Sequence, residues 1–242
     1  SWEESFSLYQ QIPEYKLMKS SMTLEEFKVI YWWEYIHRLL GRVVGIFFIT
    51  PLIYYSIKKC LSKNNLILLY AVLFLIIFQG FLGWHMVESG LTEKTDVSQY
   101  RLAAHLSMAF LIIILLLWFY FNFNKNKFLL HGEKIPFFLP NVFLIIVFFQ
   151  IVLGAFVSGL DAGKLYQTWP LMNGNYLPDD SRFVDLFSLQ LFENPSLLQF
   201  LHRNIAYFIF IFFCIIFALV FTKKELFHYR KNIMIIFFFL LL

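Results

Sequence analysis

The chain has 242 residues, of which 60% are hydrophobic and only 15% are charged. Soluble domains carry about 25% charged residues, so the composition excludes an ordinary soluble protein. The net charge of +4 is small and unevenly distributed, which fits membrane topology better than a nucleic-acid-binding surface.

In chain order, the polar and aromatic residues 1–27 are predicted to form an extramembrane loop or short helices. Apolar spans follow at residues 28–57, 65–87, 98–123, 136–160 and 197–222, and a sixth begins near 232. Each of the five is long enough to cross a hydrocarbon core of about 30 Å as a helix. We therefore predict an all-α, polytopic membrane protein. Because the chain starts without methionine and stops within an apolar run, we expect a fragment that lacks the first and last transmembrane helices.

The loops between the spans alternate in charge, which predicts the orientation. Basic residues follow the first, third and fifth spans: Lys58, Lys59 and Lys63; Lys125, Lys127 and Lys134; Lys223, Lys224, Arg230 and Lys231. The other loops are acidic or mixed: Glu88, Glu93, Lys94 and Asp96; Asp161, Asp179, Asp180, Asp185 and Glu193. The positive-inside rule places the basic loops in the cytoplasm or matrix and the N-terminal segment outside.

The stretch WWEYIHRLLGR, residues 32–42, concentrates ionisable groups at the head of the first span. Such groups are costly in a membrane and usually serve function. At helical spacing Glu34, His37 and Gly41 share one face. Arg38 and Arg42 share an adjacent face and offer two guanidiniums suited to carboxylates or phosphates.

Three histidines are predicted to lie at one depth, near the outer face. His37, His105 and His202 each precede the lysine at the inner end of their span by 20 or 21 residues. At 1.5 Å per residue this separation is about 30 Å, the full apolar thickness. The remaining histidines are predicted to be interface anchors or packing residues: His85, His131 and His228.

An internal repeat relates the two halves of the chain. The sequence QGFLG at 79–83 resembles QIVLG at 150–154, and SGL follows each copy. The first copy precedes the His105 helix and the second precedes the His202 helix. We therefore predict two pseudo-symmetric four-helix bundles, incomplete at both ends of this chain, each with a facing histidine pair. The partner of His202 is expected beyond the chain.

Two imidazoles that face each other across a four-helix bundle commonly hold a haem iron from both axial sides. Zinc fits less well, because no cysteine or aspartate cluster completes a tetrahedral site. Cys60 and Cys214 should lie at different depths and are not expected to pair. Four arginines near the histidines either contact haem propionates or snorkel to the interface: Arg38, Arg42, Arg101 and Arg203.

The halves differ three residues before their histidines, where the first has Glu34 and the second has Gln199. A buried carboxylate can relay protons or stabilise a developing cation, whereas an amide cannot. The halves, residues 1–124 and 125–242, are therefore predicted to hold similar rings with different tasks. One haem is acted upon as substrate, and the other transfers electrons as cofactor.

These motifs resemble the haem A synthase family of mitochondria and alpha-proteobacteria. The resemblance is carried by WWEYIHRLLGR (32–42), ESGL with VSQYRLAAHL (88–106), LGAFVSGLDAGKLYQTWPLMNG (153–174) and QFLHRNIAY (199–207). It implies oxidation of the C8 methyl of haem O to a formyl group by two hydroxylations, for cytochrome oxidase biogenesis. It implies that His37 and His105 flank the substrate haem O, with Glu34 as the essential acid. It also implies that His202 ligates a haem b cofactor, together with a histidine outside this chain.

An alternative function is a di-haem b-type, quinone-linked electron-transfer subunit. The equal histidine depths count against it, because such a subunit would move electrons across the bilayer. A third class is a transporter or haem-delivery protein without chemistry. The expected partners are haem O, the haem O synthase that supplies it, an unidentified electron donor, the lipid bilayer and a second copy of the chain, but no nucleic acid. The expected location is the bacterial or mitochondrial inner membrane, with the haem sites near the outer face.

Overall fold

The computed structural model describes residues 1–92, 96–123, 135–136 and 138–241. Its helices are α1 (Trp2–Tyr9), α2 (Pro13–Met18), α3 (Leu24–Ile57), α4 (Lys63–Thr92), α5 (Gln99–Phe123), α6 (Phe138–Gly159), α7 (Pro195–Thr222) and α8 (Arg230–Leu241). Short 3-10 helices span Ala162–Lys164, Phe183–Phe187, Leu189–Glu193 and Lys224–Tyr229. Among the described residues, five helices, α3 to α7, are long and apolar enough to cross a membrane. The prediction of an all-α polytopic membrane protein is confirmed.

Helix α3 begins at Leu24, earlier than the apolar span that starts at residue 28, because a capping box sets its start. The Thr23 hydroxyl accepts from the Glu26 backbone N–H at 3.3 Å, and the Glu26 carboxylate accepts from the Thr23 backbone N–H at 2.8 Å. These bonds satisfy two of the free N–H groups of the first turn. The helix then continues without interruption through His37 to Ile57.

The C-terminal ends of α3 and α7 fall at lysines. Lys58 is the C-cap of α3 and Lys223 is the C-cap of α7. Since both helices are continuous, the rise of 1.5 Å per residue sets about 30 Å between each histidine and its lysine. Other residues used for the topology lie outside the described part of the chain: Glu93, Lys94, Lys125, Lys127, His131 and Lys134.

The N-terminal segment forms the short helices α1 and α2, which confirms one of the two forms predicted for it. Aromatic side chains attach these helices to the outer end of α3. Phe27 of α3 is 5% exposed, and its ring centroid lies 5.2 Å from that of Phe6 and 5.1 Å from that of Tyr9. The segment is therefore a packed aromatic cap above the start of α3.

The chain divides into two compact units, Ser1–Tyr120 and Phe121–Leu242. In the first, α3 packs against α4, and α1 contacts α3. In the second, α7 is the central helix and contacts α6 and α8. Its buried core combines side chains of α7 with those that follow it: Phe213, Ile216, Val220, Leu226 and Ile233. The predicted boundary between residues 124 and 125 lies outside the described residues.

Candidate functional site

His105 on α5 is held by Gln79 on the neighbouring helix α4. The amide nitrogen Nε2 of Gln79 donates to the backbone carbonyl oxygen of His105 at 3.0 Å. The same nitrogen lies 3.4 Å from the imidazole Nε2 of His105. Both side chains are half-buried. One amide group thus contacts both the backbone and the ring of this histidine.

The second unit repeats this arrangement on α6 and α7. Nε2 of Gln150 donates to the carbonyl oxygen of His202 at 2.9 Å and lies 3.3 Å from the imidazole Nε2 of His202. The distances match those of the first unit within about 0.1 Å. The repeat seen in the sequence is therefore a repeat of side-chain contacts as well.

A glycine lies one helical turn after each glutamine, against the imidazole. A Cβ atom built on Gly83 would lie 2.9 Å from Cε1 of His105, and one built on Gly154 would lie 3.2 Å from Cε1 of His202. Any larger residue would press on the ring. Within the described residues, Nδ1 of both rings is buried without a hydrogen-bond partner, so each imidazole has unused polar capacity in an apolar surrounding.

We expect Gly83→Ala to displace the His105 ring, because a Cβ contact of 2.9 Å forces the imidazole to move. If His105 ligates a haem, affinity for that haem should fall by about 10- to 100-fold, as for other groups that orient a metal ligand. The haem retained on purification measures this effect. Gly80→Ala on the same helix is the control, since no described atom lies within 4 Å of its Cβ. Equal haem retention in both variants would contradict the prediction.

Helix α3 presents Glu34 and His37 on one face, as predicted. Glu34 forms an ion pair with Arg38, one turn further along the helix. His37 is exposed on this face and lies within electrostatic range of His105. Glu34 also influences the aromatic cap, because burial together with the charges of Glu14 and Glu34 raises the pKa of Tyr9 to about 12.

Three of the four arginines predicted to lie near the histidines have identifiable partners. Arg101 donates to the backbone carbonyl oxygen of His85 at 2.7 Å. Arg203 donates to the carbonyl oxygens of Thr168 at 2.9 Å and Tyr166 at 2.7 Å. Arg38 pairs with Glu34, and Arg42 is exposed on α3. Contacts between these arginines and haem propionates stay a prediction. To contact a propionate, Arg203 would either release the carbonyl oxygens of Thr168 and Tyr166 or bind them and the propionate together.

Gln199 holds the outer segment, residues 161–194, onto the start of α7. Its side-chain oxygen accepts from the Tyr166 backbone N–H at 3.1 Å, and its amide nitrogen donates to the Tyr166 carbonyl oxygen at 2.9 Å. Gln199 is only 6% exposed. Gln199 occupies the position that corresponds to Glu34 in the first half, and it joins a loop to a helix. Its position in the sequence did not predict this role.

The outer segment contains two titratable groups whose pKa values limit its stable pH range. Burial opposes ionisation of Asp180, but hydrogen bonds from Ser196 and Ser181 outweigh it and lower the pKa below its ordinary 3.8. Burial and the hydrogen bond to Asp179 raise the pKa of Tyr166 above its ordinary 10.0. Ionised Asp180 therefore stabilises the segment above about pH 4, and this is lost as pH falls through its folded pKa. Neutral Tyr166 stabilises it below about pH 10, and this is lost as pH rises through its folded pKa.

We therefore expect residues 161–194, in detergent, to show constant protection from hydrogen exchange between about pH 4 and pH 10. Protection should be weaker at lower and at higher pH. Ser196→Ala removes a 2.6 Å hydrogen bond to Asp180, so it should move the loss in acid to higher pH. An acid limb that stays in place in this variant would contradict the assignment.

In the sequence alone, four residues appeared only as matching positions of the internal repeat: Gln79, Gln150, Gly83 and Gly154. Their contacts with the histidines depend on how α4 packs on α5 and how α6 packs on α7. The available signal was a glutamine and a glycine at i and i+4 within an apolar helix, in both halves. A polar side chain in such a helix usually has a specific partner.

Comparison with known proteins assigns the chain to a family. The model of the cytochrome oxidase assembly protein family matches residues 1–242. The haem A synthase of Pelagibacter ubique is 45% identical over 233 residues, 93% of this chain and 66% of that protein. The haem A synthase of Bartonella tribocorum is 46% identical over 212 residues, 87% of this chain and 59% of that protein. That of Rhizobium etli is 44% identical over 209 residues, 86% of this chain and 57% of that protein.

The chain thus spans about three fifths of the length of the curated relatives it matches. No solved structure matches it at a significant level.

Proposed function

Since this chain belongs to the cytochrome oxidase assembly protein family, we propose that it forms part of a haem A synthase, which oxidises haem O to haem A. The observation that carries the proposal is the arrangement of histidine, glutamine and glycine that occurs once in each unit. Two similar sites suit an enzyme that binds one haem as substrate and another as cofactor.

The residues of both sites fit a haem held by histidine side chains. His105 and His202 each project an imidazole from the outer part of an apolar helix, and a glycine leaves room beside the ring. A buried imidazole nitrogen without a hydrogen-bond partner is costly, so its presence in the described part of both units supports a ligand-binding role over packing. His37 lies within electrostatic range of His105, which supports these two as the facing pair of the first unit.

In this proposal His37 and His105 would hold haem O, and His202 would hold haem b together with a histidine outside this chain. Haem O would be the substrate whose C8 methyl becomes a formyl group by two successive hydroxylations and loss of water, with the oxygen atoms and electrons supplied by reactants outside this chain. Haem b would supply a one-electron redox centre. The arginines near the outer ends of these helices would pair with the propionates.

Glu34 is the proposed acid–base group of the substrate site. It lies one turn before His37 on the same face of α3, and it is the carboxylate of the WWEYIHRLLGR stretch. A carboxylate at this place can take up the proton released when a methyl C–H bond is oxidised. Its ion pair with Arg38 fixes the position of the carboxylate on α3. Gln199, engaged with the Tyr166 backbone, has neither the charge nor the freedom for this task.

The cellular setting belongs to the same proposal. The protein would lie in a bacterial or mitochondrial inner membrane with both haem sites near the outer face, as the charges of its loops indicate. It would receive haem O from the haem O synthase and exchange electrons with a donor that the sequence does not identify. Association with a second copy of the chain is part of this expectation.

Complementation tests the proposed reaction in cells. The protein, expressed from its complete gene, is placed in a bacterial host that lacks its own haem A synthase but still makes haem O. Reduced-minus-oxidised spectra of the membranes should regain the absorption of a-type cytochromes. A protein that accumulates in the membrane with a b-type spectrum, while no a-type absorption returns, would favour the di-haem electron-transfer alternative.

A further inference from the structure

We propose that the outer segment, residues 161–194, inserts an apolar edge into the membrane surface. The apolar edge consists of Phe183, Val184, Phe187 and Leu189, and its binding partner is lipid, at the boundary between the head groups and the acyl chains of the adjoining leaflet. The inference goes beyond the proposed function and does not depend on it. It concerns how the segment is held at the bilayer, whichever reaction the protein performs.

The side chains of the apolar edge are exposed although the outer segment has a packed interior. Each of the four is between 62% and 86% exposed. The interior is filled by other residues: Leu186 packs against the cluster of Tyr166, Met172 and Phe200, and Leu191 is buried. A single exposed apolar side chain is ordinary, but four within seven residues form a patch. Such patches mark contacts with a protein or a membrane.

Local structure groups the apolar edge and neutralises the charge beside it. The ring centroids of Phe183 and Phe187 lie 5.8 Å apart, and Val184 precedes Phe187 by one turn of the 3-10 helix. Asp185 is the only charged residue among these positions of the sequence. Its carboxylate accepts from the backbone N–H of Arg182 at 2.9 Å and from the guanidinium at 3.2 Å. The edge can therefore leave water without carrying an unpaired carboxylate into lipid.

The depth of the apolar edge follows from Phe192, which packs on the last turn of α6. Its ring centroid lies 5.6 Å from that of Phe156. The membrane span of α6 ends at Gly159, three residues after Phe156 and about 4.5 Å further along the helix axis. The 3-10 helix Leu189–Glu193 thus lies level with the end of a membrane span. Leu189 begins this helix, and the rest of the edge directly precedes it.

Lipid is the medium that surrounds a protein at this depth. Aromatic and aliphatic side chains are stabilised at the membrane interface because their apolar surface leaves water. The opposite attachment of the segment is polar, through the contacts of Gln199 with Tyr166 and of Arg203 with Thr168. The outer segment is therefore held from two sides, by hydrogen bonds to α7 and by insertion of the apolar edge into the bilayer.

The test measures the depth of nitroxide spin labels on the complete protein, reconstituted as single copies in phosphatidylcholine nanodiscs. Labels are attached to Phe187→Cys and, separately, to Val184→Cys, in a protein whose native cysteines, among them Cys60 and Cys214, are replaced by serine. Collisions with oxygen, which dissolves in the bilayer, are compared with collisions with a water-soluble nickel chelate. We expect both labels to collide mainly with oxygen and to lie about 5–10 Å below the head-group boundary.

Asn175→Cys with the same label is the matched control, because Asn175 is an exposed polar residue of the same segment. Its label should collide mainly with the nickel chelate. If the labels at positions 184 and 187 collide with the chelate as often as the control does, the edge faces water and the inference is wrong. Labels shielded from both reagents would show that protein covers the edge, which would also overturn it. Should Phe187→Cys fail to accumulate, Val184→Cys decides on the same readout.

Discussion

Replacement of Glu34 by glutamine is expected to lower the conversion of haem O to haem A by about 10²- to 10⁴-fold, the range of a general acid–base group. Glutamine keeps the shape of the side chain but can neither accept a proton nor pair with Arg38. The histidines are unchanged, so both haems should stay bound with their wild-type absorption. The measurement is chromatography and mass analysis of the haems extracted from cells that make haem O.

Glu25→Gln is the control for this substitution. Glu25 lies in the first turn of the same helix, is paired with Lys28 at 2.6 Å, and its side chain is 79% exposed. It should convert haem O at the wild-type rate. If Glu34→Gln still forms haem A at the wild-type rate, the carboxylate has no part in the mechanism and the prediction is wrong.

Removal of single histidines is expected to separate the two sites. His105→Ala should lose the substrate haem and with it the product, while the spectrum of haem b persists. His202→Ala should lose the haem b spectrum. Each loss should exceed about 100-fold in affinity, because even the partners of metal ligands are worth 10- to 100-fold. Absorption spectra and the haem content per chain of the purified variants measure both effects.

His228→Ala is the matched control for the histidine variants. It removes a histidine of the Lys224–Tyr229 turn, which follows the inner end of α7, and should leave both haems in place. If all three variants lose haem alike, the losses reflect folding. If His105→Ala and His202→Ala both keep two haems, the ligand assignment is wrong.

The spans of this protein could be predicted from the sequence because each depends on local composition. Apolar runs of this length are typical of membrane helices, and the five candidate spans among the described residues agree with the predicted ones to within a few residues at each end. The predicted span starts at residue 28, whereas α3 begins at Leu24. The difference arises because the polar residues that cap the helix lie before the apolar run. Thr23 and Glu26 carry that signal in a form that an apolar profile ignores.

The positions of the three histidines along their helices could be predicted, because they follow from counting residues. The residues that contact these histidines could not be predicted, because the contacts of Gln79 and Gln150 join different helices and depend on packing. The same reason applies to residues 161–194, whose attachment to α7 through Gln199 and Arg203 joins residues more than 30 positions apart in the chain. Gln199 was interpreted from its place in a motif, whereas its hydrogen bonds give it a structural task.

The most direct test of the account is the identity of the haems in the purified protein. Expressed from its complete gene in cells that make haem O but no haem A, the protein should yield haem A, or its hydroxylated precursor, together with haem b. Extraction followed by chromatography and mass measurement identifies each species. Haem b alone, at two per chain and unaffected by Glu34→Gln, would contradict the synthase and establish an electron-transfer subunit.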